Sequence, residues 1–201
     1  GFPFLGFVTS DNQSGGRVLT QHLLDLGHHR LSFIGDHESD HYLASPRRME
    51  GLSTLRERYA GFQQALTDAG VSETVAEVNQ VTYEEYIRHL LQAPDPPTGI
   101  VTVSDSAAAD VARIAGELGV NIPGDLSLTG FDDVDLHLVE RLGLTTARVD
   151  LASQATHAIE VLLAYDSSRA ERAEIRVPTE LVIRSSTAPP NGPSTGKANQ
   201  R

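Results

Sequence analysis

The sequence predicts an α/β fold: a mostly parallel sheet flanked by helices. Two observations carry that expectation. Short apolar runs alternate with helical periodicity along most of the 201 residues, and strand–helix alternation implies a parallel sheet. The second is the stretch Val101-Thr-Val-Ser-Asp-Ser-Ala-Ala-Ala109, followed by Leu118-Gly-Val-Asn-Ile-Pro-Gly-Asp-Leu-Ser-Leu-Thr-Gly-Phe-Asp-Asp133. It reads as strand, polar turn, helix, glycine stop and a further strand ending in paired carboxylates. An open parallel sheet builds its ligand crevice at strand C-termini, so Ser104, Ser106 and Asp132 are expected on one rim.

The elements follow in order. Phe2–Val8 is an apolar strand ending in the turn Ser10-Asp11-Asn12. After Gly15-Gly16, a helix carries Val18, Leu19, Leu23 and Leu26 and stops at Gly27, the usual place for a left-handed glycine. Leu31–Gly35 is a buried strand, and the polar residues 36–52, with Pro46, form a long loop. Leu55, Tyr59, Phe62, Leu66 and Ala69 recur at spacings of four and three, one face of a helix closed by Gly70. Val75–Val81 reads as a weak strand. Thr82 and Glu85 form a capping box for a helix with Ile87, Leu90 and Leu91, ended by Pro94-Asp-Pro-Pro97. A strand over Gly99–Val103 precedes a helix bearing Ala107, Val111, Ile114 and Leu118. Leu126–Thr129 and Thr145–Val149 are strands, and Asp150 is a good N-cap for a helix with Ala155, Ile159, Leu162 and Leu163. Glu174–Arg184 is strand-rich, broken at Pro178. Residues 189–201 lack an apolar pattern and are expected to be a disordered tail.

Composition narrows the function. The chain has no Cys, which excludes a disulfide framework and Cys-ligated metal and suits a reducing cytoplasm. No secretory leader or apolar run of about 18 residues is present, so the expected setting is cytoplasmic. The net charge is −11, and an acidic chain without a basic stripe is a poor DNA binder by itself. No nucleophile elbow, phosphate loop or His-Glu-x-x-His motif occurs, which weighs against an enzyme. Asp36-His-Glu-Ser-Asp-His41 offers metal-ligand types but has no second cluster to complete a site, so no metal and no cofactor are expected. His28-His29 reads as helix-terminus chemistry, because cations suit a helix C-terminus.

A set of segments stands in fixed order along the chain: Asp11-Asn-Gln-Ser-Gly-Gly16, His22-Leu-Leu-Asp-Leu-Gly-His28, Leu31-Ser-Phe-Ile-Gly35, Arg58-Tyr-Ala-Gly-Phe62, Ala65-Leu-Thr-Asp-Ala-Gly70, Ser104-Asp105, Gly130-Phe-Asp-Asp133, Leu144-Thr-Thr146 and Pro178-Thr-Glu-Leu-Val-Ile-Arg184. In that order and spacing they resemble the effector-binding domain of the lactose repressor (LacI/GalR) family of bacterial transcription regulators. The resemblance implies a type I periplasmic-binding-protein-like fold of two lobes, crossed three times by the chain, with Asp11–Gly16 as the first crossing. It implies a sensor domain over 1–188, with the C-terminal lobe at about 13–141 and 174–188 and a returning piece of the N-terminal lobe at about 144–172. On this reading the helix-turn-helix headpiece and most of the first pass through the N-terminal lobe lie outside the chain.

The resemblance also implies the function and its residues. A small polar effector, most often a sugar, shifts lobe closure and hence DNA affinity; the rivals are a transporter's solute-binding protein and a metal-dependent or hydrolytic enzyme, the latter disfavoured by the absent motifs. Arg58 matches the family arginine that grips the effector, and its rigid fork of donors suits vicinal hydroxyls. Asp132 matches the carboxylate that accepts from effector hydroxyls, ahead of Asp133, which could be a turn residue. Ser104 and Ser106 stand at ligand-facing positions, with Asp105 between them as the helix N-cap. Thr54 and Ser53, just before the Arg58 helix, are weaker candidates. A homodimer through the C-terminal lobe is expected, with Leu136, Leu138, Val139 and Leu142 as the interface.

Overall fold

Burial along Leu31–Ile34, Gly99–Thr102 and Ser127–Asp132 is nearly complete, which requires cover on both faces of their sheet. The computed structural model describes residues 6–35, 53–76, 81–164 and 173–191. Its strands are β1 (Gly6–Ser10), β2 (Leu31–Ile34), β3 (Gly99–Thr102), β4 (Ser127–Asp132), β5 (Thr145–Val149), β6 (Ala173–Val177) and β7 (Thr179–Val182). Its helices are α1 (Asn12–Asp25), α2 (Ser53–Ala69), α3 (Tyr83–Leu91), α4 (Asp105–Glu117), α5 (Leu136–Leu142) and α6 (Leu151–Leu163). The acidic–histidine run 36–41, the rest of the loop to 52 and the tail from 192 lie outside the described residues.

A five-stranded sheet runs β2-β3-β4-β5-β7. Its pairings are parallel except the last, where β7 lies antiparallel to β5. Side chains alternate across a strand, and the two faces divide accordingly. One face buries Leu19, Leu23, Phe33, Phe62, Val101 and Phe131, with α1 and α2 over it. The other buries Ile34, Leu90, Ile100, Val111, Leu128 and Val139, with α3, α4 and α5 over it. Aromatic rings lock the first face: Phe33 meets Tyr59 edge-on at 5.2 Å and lies 5.6 Å from Phe62.

A separate two-stranded sheet pairs β1 with β6 in parallel, and α6 lies against it. The chain passes between the sheets at Asp11, Asp150 and Pro178. Asp11 and Asp150 cap α1 and α6 by accepting from the Ser14 and Ser153 amides. Pro178 has no amide hydrogen to continue a ladder. These joints redraw the lobe assignment. Thr145–Val149, expected with the returning piece of the other lobe, is a strand of the five-stranded sheet. Residues 174–177, expected in the C-terminal lobe, pair with β1.

Other expectations hold or shift for local reasons. The glycine stops at 27, 70 and 119 all have positive φ, and the Thr82–Glu85 capping box is present. α1 starts at Asn12, before Gly15-Gly16, because Asp11 caps it; the glycines sit inside the helix where α2 crosses. A Cβ on Gly16 would overlap the Arg58 carbonyl, and one on Gly61 the Gln13 carbonyl. The described residues of Val75–Val81 form no strand; nearby pairing is a lone bridge between Glu73 and Leu31. α5, capped by Asp135, is too short for its periodicity to show. It divides the expected interface: Val139 is fully buried and Leu142 packs on the core, while Leu138 is half-buried and Leu136 is 57% exposed. His28 is no cationic helix cap. It is buried, which disfavours its protonated form, and bridges the Thr98 hydroxyl at 2.9 Å and the Ala188 carbonyl at 2.8 Å.

Candidate functional site

Arg58 is the centre of the site. It leaves α2, which covers the first face of the sheet, and reaches the C-terminal ends of β3 and β4. Its Nε donates to Asn12 Oδ1 at 2.9 Å, Nη1 to the Val103 carbonyl at 2.6 Å and Nη2 to Asp132 Oδ1 at 2.9 Å. The three bonds occupy three of the five guanidinium donors. The guanidinium lies 3.6 Å above the Phe131 ring centroid, a cation–π contact that also fills the space beneath it. Burial works against its charge, and Asp132 offsets that effect.

Asp132 ends β4 with φ at 114°, and Asp133 follows at 56°. Neighbouring strand residues normally face opposite ways. The positive φ at Asp132 breaks that alternation, so Phe131 lies beneath the guanidinium while Asp132 binds its edge. The Arg58 side chain is 10% exposed and that of Asp132 34%, so the carboxylate is the more open member of the pair. Burial raises the Asp132 pKa, and Arg58 pulls it back.

Asp133 does different work. Its carboxylate is fully buried, taking Arg148 Nε at 2.7 Å and Arg184 Nη2 at 2.8 Å. That pairing ties the ends of β4, β5 and the segment after β7 together and removes Asp133 from the rim.

The other candidates divide. Ser104 follows the Val103 carbonyl that holds Arg58. Its hydroxyl accepts from the Ala107 amide at 3.2 Å and lies 2.9 Å from that of Ser106. Ser104, not Asp105, therefore caps α4. Asp105 is 5% exposed and turns its carboxylate inward to the Asp133 amide and the Thr146 hydroxyl. Thr54 is exposed, one helical turn before Arg58 and on its side of α2. With Ser53, it belongs to the first turn of that helix rather than the segment before it.

A family model described as a periplasmic binding protein-like domain matches residues 20–187. The chain belongs to that family. A Streptomyces limosus protein named an uncharacterized HTH-type transcriptional regulator in the aml 5′ region is 34% identical over 90% of this chain and 50% of its own length. An arabinose metabolism transcriptional repressor of Halalkalibacterium halodurans is 30% identical over 90% of this chain and 49% of its own. A crystal structure of a LacI transcriptional regulator from a Rhodococcus species superposes with a TM-score of 0.76 at 28% identity, covering 94% of this chain and 67% of that one. The chain spans about half the length of the curated relatives it matches. The expected likeness to LacI-family regulators is thereby confirmed, and the relatives are named as regulators rather than enzymes.

Within this periplasmic binding protein-like domain, the structure brings the expected candidates Arg58 and Asp132 together, and what holds Arg58 in place was not expected from the sequence. Asn12 is the first residue of α1. Its amide oxygen accepts from Arg58 Nε, and its nitrogen donates to the Ser10 carbonyl at 3.0 Å and to Glu57 Oε2 at 3.3 Å. Glu57 also takes Arg176 Nη2 of β6 at 3.0 Å, so an ion pair spans the two sheets beside the Arg58 cradle. The available signal was Asn12's place in the first crossing, two residues past a strand end.

Proposed function

We propose that this chain is the effector-sensing part of a LacI-type transcriptional regulator and that its effector is a small polyhydroxy molecule, a sugar. The carrying observation is the preassembled Arg58–Asp132 pair at the C-terminal ends of β3 and β4, with Ser104 and Ser106 alongside. Arg58 brings fixed donors and Asp132 a carboxylate with acceptor capacity to spare. Alternating donors and acceptors at this spacing match vicinal hydroxyls, which both donate and accept. A relative named an arabinose metabolism repressor fits this chemistry.

On this reading, effector binding between the sheets biases their relative orientation, and a helix-turn-helix of the regulator reads that bias as a change in operator affinity. The acidity of this chain, −11, makes it a poor match for phosphate itself. We place the regulator in the cytoplasm. Among the described residues, no helix is long and apolar enough to cross a membrane. Two-fold operators call for a dimer. Leu136, with Leu138 partly beside it, offers an apolar contact on the five-stranded lobe, and light scattering of Leu136→Asp tests it by looking for loss of the dimer.

Calorimetry against a panel of aldopentoses and aldohexoses tests the site. Arg58→Ala and Asp132→Ala each remove a charged hydrogen-bond partner. Each change is expected to weaken the bound sugar by about 1.5–3 kcal/mol, roughly ten- to a hundredfold. Unchanged affinity in both variants overturns the assignment.

A further inference from the structure

Asp105 does more than a helix terminus needs. Ser104 already caps α4, yet Asp105 Oδ2 accepts the Asp133 amide at 2.7 Å and Oδ1 accepts the Thr146 hydroxyl at 2.7 Å. The first bond lands on the backbone joining Asp132 and Asp133, whose φ values are 114° and 56°. Such conformations are costly for residues with a Cβ and persist only when neighbours hold them. A carboxylate on a backbone amide is among the stronger holds available. The Asp133 side chain is gripped separately by Arg148 and Arg184. Gly130 makes the room: a Cβ there would overlap Asp105 Oδ1. The product of this clamp is the Asp132 carboxylate delivered to Arg58 at 2.9 Å.

We propose that Asp105 is a positioning residue of the site: by holding the Asp133 amide it fixes the Asp132–Asp133 turn and aims the Asp132 carboxylate at Arg58. Its consequence for effector affinity rests on Arg58 and Asp132 being the effector contacts; its hold on the turn does not. Charged groups face it from several elements. Asp132 and Asp133 lie at the end of β4 and Arg58 comes from α2, while Arg148 of β5 and Arg184 beyond β7 act through Asp133. Burial, reinforced by the two aspartates, raises the Asp105 pKa to about 6.

Crystal structures of Asp105→Ala and Asp105→Asn in the protein test the proposal. Asp105→Ala is expected to let Asp132 return to negative φ and to open the 2.9 Å contact with Arg58. Asp105→Asn keeps an acceptor for the Asp133 amide and is expected to retain both. An Asp105→Ala structure with turn and contact unchanged overturns the proposal. Should that variant not fold, amide NMR of the unmodified protein decides. The Asp133 N–H and the Arg58 Nε–H are expected to shift together with a midpoint near that of Asp105, about 6, and an Arg58 signal that does not follow the amide overturns it. The two readings fail separately. Loss of the contact in Asp105→Ala with sugar affinity indifferent to Arg58→Ala breaks the effector assignment and leaves the positioning role standing.

Discussion

α4 and α6 are both thirteen residues long and both rich in Ala and aliphatic residues, yet they end up in opposite circumstances. α4 buries Ala107, Ala108, Val111, Ile114 and Ala115 against the five-stranded sheet, whereas no residue of α6 is buried. Leu151, Ile159, Leu162 and Leu163 of α6 are 55–83% exposed. The contrast extends to the sheets, since the β4 strand is closed on both faces while β6 alternates half-buried and exposed positions until Val177. An apolar stripe specifies a face, and only a partner converts that face into core. The energetic weight of the described residues therefore sits in one lobe.

The largest expected effect measures that imbalance directly. Phe62 is fully buried, so Phe62→Ala should cost about 3–5 kcal/mol. In this chain Leu162 is 60% exposed, and Leu162→Ala in the same chain should stay within roughly 0.5 kcal/mol. Urea unfolding of both variants checks this, and comparable losses would break the comparison. Glycines sharpen it on a smaller scale. Gly61→Ala forces a Cβ onto the Gln13 carbonyl at the α1–α2 crossing and should lose about 1–3 kcal/mol. Gly116 in α4 has open space around it, so Gly116→Ala should gain about 0.4–1 kcal/mol. Thermal melts with the same sign for both changes would refute the packing account.

The smallest effect is a pH dependence. Burial holds the His28 pKa below its ordinary 6.5, so the unfolded chain takes up the proton first. His28 favours folding fully above pH 6.5, and this contribution is lost as pH falls through its folded pKa. His22 is shifted the same way by burial. Asp105, raised to about 6, acts in the opposite sense, favouring folding below its unfolded value and losing that contribution as pH rises. Comparing His28→Asn with the unmodified protein isolates the histidine: the variant should lose less stability on acidification below pH 6.5. An identical slope in the two proteins would show that the His28 bridge has no linked proton.

Periodicity made most of the five-stranded lobe legible, because its longer helices display a stripe and most of its strands a short apolar run, while α5 is too short to show one. Arg58 and Asp132 were singled out through their resemblance to family positions, and the structure brings the two side chains into contact. What stayed hidden depended on contacts distant in sequence. Asn12 becomes a cradle only because α2 crosses α1 at Gly16 and Gly61. Asp105 looks like an N-cap until the Asp133 amide arrives from another strand. β6 could not be assigned to its sheet from its own residues, since its partner β1 lies more than 160 positions away.

The passages at Asp11, Asp150 and Pro178 have a mechanical meaning. Each strand end is separated from the next element by a single residue. Every such joint offers one φ and one ψ, and proline surrenders its φ. If the two sheets move as units, all of these joints must turn together, and the admissible displacements shrink to those that satisfy every linkage at once. Three flexible tethers would let the lobes wander; three one-residue pivots act like the knuckles of a door hinge. Arg176 of β6 pairs with Glu57 of α2, Glu57 takes the Asn12 amide nitrogen and Asn12 takes Arg58 Nε, so a shift of one sheet against the other would reach the guanidinium through that chain of contacts.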